Sequence, residues 1–86
     1  MFEKIFKGDG ELHTASWEAQ KWLRENGYSY GPMERDNPIA VLKGADHDLP
    51  KWTNLPDDLK EKVDGKLHVT MKGDARLVLN EEPSYN

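Results

Sequence analysis

One short pattern, used three times, limits what this chain can fold into. An apolar residue, Lys-Gly and then Asp recur as Phe6-Lys7-Gly8-Asp9, Leu42-Lys43-Gly44-Ala45-Asp46 and Met71-Lys72-Gly73-Asp74. Each copy stands where an apolar stretch stops. Glycine tolerates positive φ, and an aspartate side chain bonds its own backbone, so each copy reads as a turn. Turns at these places cut the chain into short extended segments. They predict strands joined by hairpins rather than a helical bundle.

The chain has 86 residues, which leaves room for one domain. We place that domain at residues 1–80 and read residues 81–86 as a frayed tail. A chain of this size buries about 60–65 % of its unfolded surface, so its core is small. Cysteine is absent, which suits a reducing cytoplasm. The opening Met-Phe-Glu-Lys-Ile-Phe is too short and too charged for a signal peptide. No apolar run approaches the ~18 residues of a membrane span. A formal net charge of −4 argues against a nucleic-acid binder, whose phosphate contacts need a basic surface. The same charge is too mild for a mimic of DNA.

Gly8-Asp9-Gly10 reads as a three-residue hairpin loop that sets Lys7 opposite Glu11 and Phe6 opposite Leu12. The main helix is predicted over residues 14–26, with Thr14 as N-cap and Gly27 as its stop. Ala15, Ala19, Trp22 and Leu23 make its apolar stripe, and Trp17 lies on the opposite face. Tyr28-Ser29-Tyr30 alternates like a strand. Ile39-Ala40-Val41-Leu42 is a continuous apolar run and the candidate for the sheet centre. Lys51-Trp52-Thr53 is expected as a short strand. A second short helix is predicted over residues 56–63, with Pro56 at its first position and Asp57 and Asp58 on its positive end.

The chain closes with a C-terminal hairpin. A register that pairs Met71 with Leu77 and Val69 with Leu79 puts all four on one face, and it sets Lys72 opposite Arg76. Lys66, Lys72 and Arg76 would then guard an exposed edge. The expected class is α+β: a small antiparallel sheet packed on one main helix, with a second short helix and a C-terminal hairpin.

No catalytic constellation emerges. His13, His47 and His68 lack metal-ligand spacing, and Asp46-His47-Asp48 reads as a solvated turn. Ser16 and Ser29 lack a nucleophile-elbow context, and the glycines are scattered in turns rather than gathered as a phosphate loop. We therefore expect no catalytic residues, no metal and no cofactor. The Lys-Gly-Asp tripeptide resembles an integrin-binding tripeptide of certain disulfide-rich secreted proteins, but in this acidic, cysteine-free chain it reads as a turn.

The partner-binding candidates are the large and charged surface residues Trp17, Lys21, Arg24, Tyr28, Tyr30, Met33, Arg35 and Trp52. Trp17 either covers the N-terminal segment through Phe2 or Phe6, packs on Lys21, or anchors an interface, since exposed Trp and Arg dominate interfaces. The segment from Tyr28 to Pro38 is either a plain crossover or an adaptable surface whose tyrosines and Arg35 stack a base or grip an anion.

Asn26-Gly27-Tyr28-Ser29-Tyr30-Gly31, Asn37-Pro38-Ile39-Ala40, Lys51-Trp52-Thr53-Asn54-Leu55 and Asp64-Gly65 together resemble small accessory proteins of tailed bacteriophages. The resemblance covers roughly the middle half of the chain and carries over no site residue. It implies a protein made in a bacterial host's cytoplasm that binds and inhibits a host or antiviral-defence protein. The first expectation is thus a non-enzymatic binding protein with a host protein as partner. The alternative is a module that binds or sequesters a small nucleotide-type ligand. Neither nucleic acid nor membrane is expected as a partner, and oligomeric state is left open.

Overall fold

The elements run β1 (Phe2–Phe6), α1 (Thr14–Glu25), β2 (Tyr28–Tyr30), β3 (Ile39–Lys43), a single 3-10 turn (Trp52–Asn54), α2 (Asp57–Lys62), β4 (Gly65–Val69) and β5 (Ala75–Leu79). They are taken from a computed structural model, which describes residues 1–9, 14–34, 36–44, 48–70 and 73–83. Expectations that fall on Gly10, Glu11, Leu12, His13, Arg35, Asp46, His47, Met71, Lys72, Ser84, Tyr85 and Asn86 lie outside the described residues.

The strands form one antiparallel sheet in the order β1-β5-β4-β3-β2. The fold is therefore α+β, as the turn pattern predicts. Three placements differ from expectation. The described partner of β1 is β5, with Phe2 opposite Leu79 and Phe6 opposite Ala75. The C-terminal hairpin is interior, flanked by β1 and β3, so Lys66 and Arg76 do not guard an edge. Residues 52–54 form a turn of 3-10 helix instead of a strand.

The register of the C-terminal hairpin is shifted from the expected one. Leu67 faces Leu77, Val69 faces Ala75, and the Thr70 N–H donates to the Asp74 carbonyl at 2.9 Å. Gly73, immediately before Asp74, has a φ of 89°, the left-handed conformation that the last position of a three-residue hairpin loop needs. The expected register put Gly73 first in the loop, where its freedom is wasted. The apolar face survives, because the partner of Val69 moves by four residues, from Leu79 to Ala75, and an even shift preserves a period of two.

α1 crosses the sheet between its two edges. Ala15, Ser16, Ala19 and Leu23 are buried beneath it. Three small residues let the helix axis sit close, and Ser16 is satisfied by accepting from the Gln20 amide at 3.4 Å. A helix of this length is marginal alone, so this burial is what holds it. Ile39, Val41, Leu67, Leu77 and Leu79 supply the facing surface. Trp22 stacks on Phe2 of β1 at 5.8 Å and on Tyr28 of β2 at 6.4 Å. In a flat sheet four strand spacings, about 19 Å, would separate those edges. The sheet thus curls toward α1.

The opposite face is half covered. The segment from β3 to β4 lays Leu49, Leu55 and Val63, with Trp52 and Leu59 at the margin, over Ala40 and Leu42. β3 is covered on both faces, although β4 is the geometric centre of the sheet. Asp64 fixes the return of this segment. Its carboxylate accepts from the Lys43 N–H at 2.6 Å, its N–H donates to the Val41 carbonyl at 2.8 Å, and its carbonyl accepts from the Asn80 N–H at 2.8 Å. Beyond this cover, β1, β5 and the far part of β4 turn Ile5, Arg76, Val78, Lys66 and His68 outward.

Candidate functional site

The residues singled out for partner binding divide among three places. Trp17, Lys21 and Arg24 follow one another at helical spacing along the outer face of α1, and all three are exposed, Trp17 to 63 %. The Arg24 guanidinium donates to the Tyr30 hydroxyl, which joins the end of β2 to this face. Tyr28 is buried under Trp22, and Met33 is half-buried against the same core. Trp52 is on the other side of the sheet.

The loop between β2 and β3 is tied down by its own polar groups. Glu34 accepts from the Thr53 hydroxyl at 2.7 Å and from the Asn37 amide at 2.6 Å. The Thr53 hydroxyl bond, ahead of the remaining causes, holds the Glu34 carboxyl below its ordinary range. These bonds lash the loop to the 3-10 turn. Arg35, on which the anion-gripping reading of this loop rests, lies outside the described residues.

Burial, with smaller contributions from Asp64 and Glu81, raises the Tyr28 phenol above its ordinary value. A raised folded-state value means that the neutral phenol stabilises the fold below about pH 10, and this contribution is lost as pH rises through the folded value. Urea denaturation on the alkaline side is therefore expected to show falling stability in the wild type and a shallower fall in Tyr28→Phe. Identical slopes would place the alkaline sensitivity elsewhere.

The described residues also form a site that sequence reasoning missed. A shallow groove of about 400 Å³ runs between α2 and the outer face of β4 and β5. Lys60 and Glu61 come from α2, Lys66 and His68 from β4, and Arg76 and Val78 from β5, with Val63 and Asn80 at the ends. The antiparallel register makes it: His68 pairs with Arg76 and Lys66 with Val78, all on one face. Trp52 gathers the two lysines, with their ammonium groups 5.4 and 5.0 Å from its ring centre. Arg76 is shared with Glu3, whose Oε2 accepts from Nε at 2.8 Å and forms an ion pair with Nη2 at 2.5 Å.

His68 titrates below its ordinary value. Although the residue is exposed overall, desolvation is the first cause, followed by Arg76 and then Lys66. A usable signal was present in the sequence. Lys66 and His68 alternate with the buried Gly65 and Leu67 and the half-buried Val69, which marks them as the outward positions of one strand. Without the correct register, Arg76 could not be added to them.

Among the described residues no three metal-ligating side chains group together, and no helix is long and apolar enough to cross a membrane. Compared with protein-family models, curated proteins and solved structures, the chain matches none.

Proposed function

We propose that this protein is a non-enzymatic binding module that grips a protein partner with the outer face of α1. The observation that carries this reading is Trp17, a large ring 63 % exposed beside the exposed cations Lys21 and Arg24. Trp and Arg are the side chains that most often dominate interface energies. Here the Arg24 fork is already oriented by Tyr30, which lowers the entropy lost when it is immobilised. The resemblance to phage accessory proteins makes a bacterial host protein the partner to seek. Inhibition of that protein, including an antiviral-defence enzyme, would be the consequence of binding.

The test is capture from a bacterial host lysate, followed by an affinity measurement on the purified partner. Trp17→Ala and Arg24→Ala are each expected to weaken binding by about 30-fold, the effect of losing a ~2 kcal/mol anchor. Capture of no partner, or a partner held equally by both variants, overturns the reading.

A further inference from the structure

We propose that the groove between α2 and the outer face of β4–β5 is a binding site for a small organic phosphate, a phosphomonoester with an apolar or ring-bearing body. This inference is independent of the α1 face, which lies on the other side of the sheet.

Charge is the first argument. The protein as a whole is acidic, at −4. Yet Lys60, Lys66 and Arg76 converge on this one depression, against Glu61 in the lining and Glu3 on Arg76. Like charges gathered on one surface repel unless an anion joins them, and Trp52 holds two of them to a single ring. Glu3 occupies only the Nε and Nη2 donors of Arg76. A guanidinium carries five N–H donors and an ammonium three, so donors remain for a tetrahedral oxyanion. Three cations against two carboxylates leave a local excess of one positive charge, the sign that draws a phosphomonoester of about −1.5 to −2 charge at neutral pH.

Size and walls supply the second argument. At about 400 Å³ the groove has room for about a dozen waters, each taking ~30 Å³, and so for far more than one inorganic anion. It lies at the lower end of ordinary small-molecule sites, which run from ~300 to ~1,000 Å³. Val63 and Val78 give the carbon part of a ligand an apolar wall. The cations would hold the phosphate while the valines seat the body.

Backbone amide shifts in the intact protein, followed by NMR, test this with four probes: adenosine monophosphate, adenosine, inorganic phosphate and a hexaglutamate peptide. Adenosine monophosphate is expected to give saturable shifts confined to Lys66, His68, Val78 and Asn80. Inorganic phosphate should bind more weakly, and adenosine should cause none of these shifts. The His68 imidazole is expected to titrate at higher pH with adenosine monophosphate bound. The new anion opposes the field of Lys66, Arg76 and Lys60, while Glu61 and Glu3 are already present in the free protein. Lys66→Gln and Lys60→Gln should each weaken binding about tenfold, with the remaining amide shifts unchanged as proof of fold. Lys43→Gln, on the sheet but outside the groove, should have no effect.

The proposal falls if adenosine monophosphate gives no saturable shift up to about 10 mM, a concentration that would detect even millimolar affinity. It falls equally if adenosine or inorganic phosphate binds as tightly as adenosine monophosphate. Shifts of equal size at Lys21 and Arg24 would mark general charge attraction and overturn it. Preference for hexaglutamate would assign the groove to an acidic macromolecule instead.

Discussion

Replacing Gly65 by alanine is expected to lower stability by about 3 kcal/mol or more, the upper range for overpacking a filled site. Gly65 opens β4 in the middle of the sheet, between Val41 of β3 and Leu79 of β5. A Cβ there would stand 2.3 Å from the Val78 carbonyl oxygen and 2.7 Å from the Leu79 side chain. The first contact is with backbone, so no rotamer change relieves it, and β4 and β5 must separate locally. Alanine's advantage over glycine in a strand, roughly 0.5–1 kcal/mol, offsets only part of this. For a domain of this size the melting temperature should fall by roughly 12–24 °C. A fall of only a few degrees would show that β4 and β5 are not held so closely at this point.

Leu67→Ala should cost about as much for the opposite reason. Leu67 is fully buried on the central strand, with Leu77 on one side and Ile39 on the other. The surrounding strands are paired and cannot collapse into the space, so the loss should be roughly 3–4 kcal/mol, within the range for such truncations. The neighbouring residue is the control. His68 points to the exposed face, and His68→Ala should stay within about 0.5 kcal/mol of wild type. Chemical denaturation of the pair thus reads the pleat of β4 directly. Similar losses at both positions would contradict the two-faced burial on which the core and the groove both depend.

The elements legible in the sequence were those governed by local spacing. Ala15, Ala19 and Leu23 recur at the helical period, and that helix forms where expected. The run at Ile39 to Leu42 forms a strand because it is apolar on both faces, and it is covered on both. What was not legible was long-range pairing. Phe6 has an attractive near neighbour in Leu12, and nothing local indicates that its strand partner is Ala75. The C-terminal hairpin shows a subtler failure. Apolar alternation fixes which face a side chain takes, but an even shift, here of four residues, leaves that face intact. Only the demand of the loop for positive φ at its last residue separates the registers, and Gly73 answers it. The groove followed the same fate. Its lysines come from α2 and β4 and its arginine from β5, so it exists only once the pairing is known. Trp17, Lys21 and Arg24 needed no pairing, and their common face could be read directly.

The pairing of β1 with β5 also sets a timetable. Phe6 and Ala75 are 75 − 6 = 69 positions apart. At about 5–20 residues per second, roughly 3–14 s of synthesis separate the two strands. Throughout that interval Phe2 and Phe6 lack the strand they pair with, and the stripe of α1 has only β2 and β3 to cover it. Helix formation and the two-strand unit of β2 and β3 can begin early, because their contacts are short-range. The sheet itself closes from its far end, when β4 and β5 arrive together and give β1 and α1 a surface to settle on. The nascent chain therefore carries its most apolar N-terminal residues uncovered until nearly the whole domain has been made, which is the interval in which a chaperone or an unwanted neighbour would find them.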